Sequence, residues 1–142
     1  MNQSNSLGKS GDITAKKPHI LIIDDERDAV ELLSLILTKN GFTADKSYKA
    51  DDARSLLDTA DTLPDIIILD VKLPGTDGVN FCKELQKNPR YQHIPVILVS
   101  AMCFESDIER GLAAGAKDYI LKPWSNIDLV ERIKHHLIIN KS

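Results

Sequence analysis

Polar residues that can do chemistry follow four apolar runs of this sequence, each at the point where the run ends. They are Asp24, Asp25, Asp70, Ser100 and Lys122. Carboxylates that lie close together repel one another, so at least one should keep its proton to an unusually high pH unless a cation compensates them. Carboxylate oxygens without nearby His or Cys suit Mg²⁺, which is usually held by one or two carboxylates together with phosphate oxygens. A lysine ammonium can pair with a carboxylate or with a phosphoryl group attached to it, so these residues could serve phosphoryl chemistry if they meet.

The apolar runs predict strands that are buried on both faces of a parallel sheet, because they are β-branched and do not alternate with polar residues. Three such strands are predicted, over 19–23, 66–69 and 94–100, and a further strand is predicted over 116–121. The segment 42–47 alternates weakly and contains Thr, Asp and Lys, which favours a half-exposed edge strand. Apolar residues at helical spacing predict five helices, over 26–40, 50–60, 79–88, 105–115 and 125–140.

Strand and helix alternate five times, which predicts one α/β domain whose parallel sheet is covered by helices on both faces. Ligands bind outside the carboxyl ends of the strands in such sheets, and four of the predicted strands end in the polar residues named above. The helix over 105–115 should be the loosest, because Gly111 costs about 1 kcal/mol relative to alanine and only Ile108 and Leu112 on its apolar face are large. Ser125 can cap the last helix.

The length of 142 residues suits a single domain, predicted to cover 18–142 after a flexible tail over 1–17 that lacks the apolar segment of a secretory signal. The apolar fraction of 42% and the charged fraction of 27% are typical of a globular protein.

The net charge of -3 provides no basic field for direct nucleic-acid binding. No stretch approaches the roughly 20 apolar residues needed for membrane insertion. Cys82 and Cys103 match no metal spacing and predict reduced thiols, so a cytoplasmic location is expected.

Five motifs, taken in order along residues 19–140, resemble the receiver domain of two-component response regulators. They are Asp24-Asp25, Leu69-Asp70 followed by 73–78, Ser100-Ala101, 115–119 and Lys122-Pro123. Each motif alone is weak evidence, but all five fall in the right order at the predicted strand ends. The resemblance implies a flavodoxin-like (CheY-like) α/β fold, with a five-stranded parallel sheet of order 2-1-3-4-5 and helices on both faces.

The resemblance implies a role for each of the charged residues. Asp70 would be the phosphoacceptor, taking a phosphoryl group from a sensor histidine kinase or a histidine phosphotransfer protein to give an acyl phosphate. The cofactor would be Mg²⁺, bound directly by Asp25, Asp70 and the backbone carbonyl of Lys72. Asp24 would bind the ion mainly through water. Lys122 would help to neutralise the phosphoryl oxygens during in-line transfer, and its peptide bond to the following proline would be cis.

The resemblance also implies a switch formed by Ser100 and Tyr119. The Ser100 hydroxyl would turn to the phosphoryl group, and Tyr119 would turn inward to fill the space that is vacated. The chain would then be primarily a signalling protein that catalyses only its own phosphorylation and dephosphorylation. Its signal would pass to a downstream effector protein or to an output domain that is absent from this chain.

Two positions depart from the pattern that would speed the loss of the phosphoryl group. Lys72 stands two residues after Asp70, and Met102 stands two residues after Ser100. Neither carries an acid or an amide that could orient an attacking water, so the resemblance predicts slow self-dephosphorylation.

Three other functions stay open from the residues alone. A Mg²⁺-dependent phosphohydrolase of the haloacid-dehalogenase type also forms an aspartyl phosphate, but it expects a second acid where Lys72 stands. A flavodoxin would place an FMN phosphate against Asp24 and Asp25, which would repel it. A pseudo-receiver that only docks partners, independently of phosphorylation, would not need the full set of acids.

Overall fold

The computed structural model describes residues 16–141, so the predicted tail over 1–17 lies almost entirely outside the described residues. The strands in this part of the chain are β1 (His19–Ile23), β2 (Thr43–Ser47), β3 (Ile66–Asp70), β4 (Lys72–Leu73), β5 (Thr76–Asp77), β6 (Val96–Ser100) and β7 (Asp118–Leu121). The helices are α1 (Arg27–Lys39), α2 (Ala50–Thr59), α3 (Gly78–Lys87), α4 (Glu105–Ala113) and α5 (Asn126–Lys141). None of these helices is long and apolar enough to cross a membrane.

Five strands form one parallel sheet of order β2-β1-β3-β6-β7. With the short strands β4 and β5 set aside, this is the predicted order 2-1-3-4-5, and the predicted fold is confirmed. The register places Ile23 of β1 beside Leu69 of β3, and Asp70 of β3 beside Val99 of β6. The carboxyl ends of these three strands therefore meet at one edge of the sheet.

Helices cover both faces of the sheet, as predicted. The even-numbered apolar residues of β1 and β3, such as Ile22 and Ile68, pack with α1 and α5. The odd-numbered ones, such as Leu21 and Ile67, pack with α2 and α3. Every residue of β3 and β6 is buried, and burial on both faces explains why these strands are apolar without alternation.

Two local predictions also agree with the structure. The polar strand β2 lies at the edge of the sheet, and three of its five residues are exposed. At the start of α5, the hydroxyl of Ser125 accepts a hydrogen bond from the backbone N–H of Asp128 (3.3 Å). Ser125 therefore caps this helix.

The segment after β3 contains a small antiparallel hairpin that the sequence patterns did not predict. Strands β4 and β5 pair Lys72 with Asp77, and their turn contains Gly75 at a φ of 75°. Gly78, directly after the hairpin, lies so close to the end of β3 that a Cβ there would be 2.1 Å from the carbonyl oxygen of Asp70. The hairpin therefore needs a glycine at position 78 to fold back against β3.

The helix α4 packs differently from its prediction. Gly111 is buried, and a Cβ there would lie 2.7 Å from the Leu98 side chain and 3.0 Å from the Tyr119 ring. Leu112, expected on the apolar face, is 46% exposed. That expectation was wrong because the helix turns a glycine, and not this large side chain, toward the sheet. The α4 backbone at Gly111 packs directly against Leu98 and Tyr119, where a stripe of large apolar side chains was expected.

Candidate functional site

Asp70 is the last residue of β3 and is only 7% exposed. Because β3 lies between β1 and β6, the ends of both neighbours surround this residue. Its Oδ1 accepts a hydrogen bond from the backbone N–H of Lys72 (3.2 Å), and its Oδ2 lies 3.2 Å from the Lys122 ammonium. The candidate phosphoacceptor is thus a buried carboxylate beside a cation.

Lys122 directly follows β7, and three carboxylates share its ammonium. Nζ lies 3.0 Å from Asp24, 3.2 Å from Asp70 and 3.4 Å from Glu26. Burial alone would lower the pKa of Lys122, but the hydrogen bond with Asp24 and the negative charge of Asp70 raise the pKa above its ordinary value. The lysine therefore stays charged at neutral pH. Its peptide bond to Pro123 is cis, as the resemblance implied.

Asp24 and Asp25 follow β1 and occupy different environments. Asp24 is buried, and its two oxygens accept hydrogen bonds from the backbone N–H of Glu26 (3.0 Å) and from the Lys122 ammonium. Asp25 is exposed. Asp24, Asp25 and Asp70 each place one carboxylate oxygen within 4.8 Å of the others. The structure therefore brings the three acids together at one point.

The donor set at this point fits a magnesium ion. Carboxylate oxygens are ligands that Mg²⁺ prefers, and three carboxylates cluster here, two of which contact the single lysine Lys122. Burial and the charge of Asp24 raise the pKa of Asp70 to about 6. Lys122 and the Lys72 N–H act in the opposite direction without cancelling this rise. Burial, the larger cause, and the charge of Asp24 both disfavour the Asp70 carboxylate, and a divalent cation bound here would favour its charged form.

A cavity of about 760 Å³ opens beside Asp70. Its charged lining includes Asp25, Glu26, Lys72 and Lys122. Its apolar lining comes from the β4–β5 hairpin and from the loop after β6, with Leu73, Pro74, Ala101 and Met102. A cavity of this size accommodates a phosphoryl group and part of the group that delivers it.

Ser100 and Tyr119, the predicted switch pair, meet at the backbone of Met102. Ser100 ends β6 and is buried, and its Oγ accepts a hydrogen bond from the Met102 N–H (3.0 Å). Tyr119 is 7% exposed, and its hydroxyl donates a hydrogen bond to the Met102 carbonyl (2.9 Å). Burial raises the pKa of Tyr119, so the phenol stays protonated and can donate. The Tyr119 ring lies inside the structure against Gly111 of α4.

Glu26 is a member of this site that the sequence analysis missed. It lines the cavity and reaches the Lys122 ammonium, although its side chain is 68% exposed. A signal was present in the sequence, because Glu26 directly follows the Asp24-Asp25 pair. At the start of α1, this position was interpreted only as part of a helix.

The raised pKa of Asp70 predicts that Asp70→Asn is more stable than the wild-type protein at neutral pH without divalent cations. The unfolded chain loses this proton near the ordinary pKa of 3.8 and the folded chain at about 6. The carboxylate therefore lowers the free energy of unfolding as pH rises through this window, and the full penalty remains above it. The window from 3.8 to about 6 corresponds to about 3 kcal/mol, which solvent in the open cavity screens in part, so we expect the variant to gain about 2 kcal/mol at neutral pH and nothing below about pH 3. Urea unfolding with a chelator present measures this gain, and equal stabilities at neutral pH would contradict it.

Comparisons with known proteins agree with this arrangement. A family model described as the response regulator receiver domain matches residues 20–134. The phosphate regulon transcriptional regulatory protein PhoB of Rhizobium meliloti is 38% identical over 117 residues, which cover 82% of this chain and 51% of that protein. The chain thus spans about half the length of this relative.

Two solved structures are similar in sequence and in fold. The signal receiver domain of a signal transduction histidine kinase from Syntrophus aciditrophicus is 34% identical, with a TM-score of 0.77, and the match covers 84% of this chain and 89% of that one. A two-component response regulator from Clostridium difficile is 25% identical, with a TM-score of 0.81, and the match covers 89% of this chain and 100% of that one.

Proposed function

The chain belongs to the family of response regulator receiver domains of two-component systems, and from this premise we propose that Asp70 is the residue that accepts the phosphoryl group. One observation carries the proposal. Asp70 is a buried carboxylate at a strand end, 3.2 Å from the Lys122 ammonium, and it opens into a cavity that also contains Asp25. These are the groups that an aspartyl phosphotransfer needs at the reacting atom.

In the proposed reaction, a histidine kinase or a histidine phosphotransfer protein presents a phosphohistidine at the cavity. A carboxylate oxygen of Asp70 attacks the phosphorus, so that an O–P bond forms while the N–P bond breaks and its electron pair returns to the imidazole. Lys122 already contacts Asp70 Oδ2, and its ammonium has three protons to donate. The same ammonium can therefore donate a hydrogen bond to a phosphoryl oxygen once the phosphoryl group is attached to Asp70.

We propose that Asp25, Asp70 and the backbone carbonyl of Lys72 hold Mg²⁺ directly and that Asp24 acts through water. Both oxygens of Asp24 already accept hydrogen bonds, one of them from Lys122, which sets Asp24 apart from the exposed Asp25. Asp70 is bonded in the same way as Asp24, so its direct role is taken from the family resemblance. Asp25 is exposed and lines the cavity. When bound, Mg²⁺ neutralises negative charge on the carboxylates and on the phosphoryl oxygens.

We propose that phosphorylation is relayed through Met102. The Ser100 hydroxyl, now an acceptor for the Met102 N–H, would turn to the phosphoryl group and release that N–H. The Tyr119 hydroxyl donates a hydrogen bond to the Met102 carbonyl, and the Tyr119 ring packs against Gly111 of α4. A change at Ser100 would therefore reach α4 through one shared residue and one ring.

Receiver domains interact with histidine kinases and with output domains. The similar protein from Rhizobium meliloti is a transcriptional regulator of which this chain covers about half. We propose that this chain likewise passes its signal to an effector protein or an output domain. We place the exchange in the cytoplasm, where the free thiols of Cys82 and Cys103 would stay reduced.

We expect the phosphorylated protein to keep its phosphoryl group for minutes or longer in the presence of Mg²⁺. Lys72 and Met102 both line the cavity, and neither side chain carries an acid or an amide that could orient a water for attack on the phosphorus. Met102→Glu should shorten the lifetime several-fold, whereas the size-matched Met102→Leu should not change it. Release of phosphate after removal of the donor gives the rate, and a half-life of seconds in the unaltered protein would contradict this expectation.

Trp124 offers a direct test of the proposed function, because it is half-buried and stands two residues after Lys122. Beryllofluoride with Mg²⁺ mimics an aspartyl phosphate, so it should change the Trp124 fluorescence of the wild-type protein. The change should be absent in Asp70→Asn and retained in Asp52→Asn, which alters an exposed aspartate on α2. No response in the wild-type protein would favour a docking module that is independent of phosphorylation.

A further inference from the structure

An ion pair ties α4 to the hairpin beside Asp70. Arg110 of α4 places Nη2 2.6 Å from Oδ2 of Asp77, the last residue of β5. The two side chains are 45% and 33% exposed, so the pair is only partly screened by water. Gly111 is the residue of α4 that is buried, and Ile108 of the same helix is partly buried against the core. A contact of this kind can therefore influence where α4 lies.

Besides Arg110, Asp77 contacts two further elements, α3 and β4. Its Oδ1 accepts a hydrogen bond from the backbone N–H of Val79 (2.8 Å) and so caps α3. Across the hairpin, Asp77 pairs with Lys72. The Asp77 carboxylate thus contacts α4 through one oxygen and the first turn of α3 through the other. The backbone of Asp77 lies in the strand that pairs with Lys72.

Lys72 connects the hairpin to the reacting carboxylate. Its backbone N–H donates a hydrogen bond to Asp70 Oδ1 (3.2 Å), and its backbone carbonyl is the proposed main-chain ligand of the metal. The backbone N–H of Gly78 donates a hydrogen bond to the Val71 carbonyl (2.6 Å), which fixes the other end of the hairpin. A continuous chain of contacts therefore runs from α4 through Asp77 and Lys72 to Asp70.

We propose that Arg110 is a positioning residue: through its ion pair with Asp77 it holds the hairpin, and hence the Lys72 backbone, in the arrangement that binds Mg²⁺. The inference rests on the proposed binding of Mg²⁺ beside Asp70. Because linkage is reciprocal, occupancy of the metal site would in turn favour the paired position of α4. The ion pair would then report the state of the phosphoacceptor to this helix independently of Ser100 and Tyr119.

The signs of two charge-removing substitutions separate this role from simple electrostatics. Arg110→Gln removes a positive charge near the acids, so a purely Coulombic effect would tighten Mg²⁺ binding. Asp77→Asn removes a negative charge, so the same effect would weaken Mg²⁺ binding. If the ion pair positions the hairpin, both substitutions weaken binding, and the double variant binds no more weakly than either single variant. Asparagine is a good helix N-cap, so Asp77→Asn keeps the cap of α3.

Mg²⁺ affinity, followed by Trp124 fluorescence, should fall about two- to fivefold in each single variant, the range of a partly exposed ion pair. Arg132→Gln is the matched control, because Arg132 is 41% exposed and pairs with Asp118 and Asp128, away from the hairpin. It should leave the affinity unchanged. Tighter binding in Arg110→Gln, or additive losses in the double variant, would overturn the proposal.

Hydrogen exchange in the metal-free protein tests the same tie without relying on the proposed function. The Gly78 and Lys72 amides should exchange about two- to fivefold faster in Arg110→Gln than in the wild-type protein or in Arg132→Gln. Unchanged exchange would overturn the positioning role. If the wild-type protein binds no Mg²⁺ but its hairpin amides respond as expected, the proposed metal site fails while the tie between Arg110 and Asp77 stands.

Discussion

Replacing Lys122 with methionine should slow phosphoryl transfer to Asp70 by about a hundredfold or more, the usual effect of removing one preorganised donor from a developing anion. The ammonium lies 3.2 Å from Asp70 and 3.0 Å from Asp24, where it can reach the charge that builds on the phosphoryl oxygens. Methionine keeps an unbranched stem of similar length but carries no charge. Phosphoryl incorporation from acetyl phosphate at saturating Mg²⁺ measures the loss.

The same substitution should tighten Mg²⁺ binding, because it removes the cation that pairs with two members of the acidic cluster, Asp24 and Asp70. Opposite changes in transfer rate and metal affinity separate loss of a catalytic group from general disruption of the site. Lys122→Arg should recover only part of the rate, since a planar guanidinium cannot reproduce a point charge shared among three carboxylates. A normal rate in Lys122→Met would remove Lys122 from the mechanism.

Replacing Gly78 with alanine should destabilise the fold by about 3 kcal/mol, at the upper end of the cost of overpacking. The new Cβ would lie 2.1 Å from the Asp70 carbonyl oxygen and 2.8 Å from the Val71 Cα. Both neighbours are backbone atoms of the phosphoacceptor segment and cannot rotate away as a side chain would. The hairpin must therefore shift, and Mg²⁺ binding should weaken with it.

Gly75→Ala is the matched control, in the hairpin that directly precedes Gly78. Gly75 has a φ of 75°, but no atom lies within 4 Å of the position that a Cβ would take, so alanine there meets only the cost of the left-handed backbone, about 1 kcal/mol. Urea unfolding compares the two variants, and metal titration follows the site. If both variants lost the same free energy of unfolding, the close contact between position 78 and the Asp70 backbone would not contribute to stability.

The sequence predicted the parts of the site that stand at the ends of strands in the main sheet. Residues 66–69 are apolar without alternation because both faces of β3 are covered, so the position of Asp70 at the sheet edge could be inferred from the sequence. The same reasoning placed Asp24 and Lys122 beside it. The comparisons show that the chain belongs to the receiver family.

The β4–β5 hairpin could not be predicted in this way. Its strands have two residues each, too few for any periodic pattern, and the Pro74-Gly75 pair indicates a turn without saying what flanks it. The packing of α4 against the sheet could not be predicted from the sequence for a related reason. A glycine that allows close approach, as Gly111 does beside Tyr119, looks in the sequence like a weak point in a helix.

The assignment of Asp70 as the phosphoacceptor is tested most directly by mass spectrometry after incubation with acetyl phosphate and Mg²⁺. Borohydride reduction of the acyl phosphate marks the modified residue, and peptide mapping locates it. We expect one phosphoryl group per chain, located at Asp70 and absent from Asp70→Asn. Equal incorporation into Asp70→Asn, or a mark at another residue of the wild-type protein, would contradict the assignment.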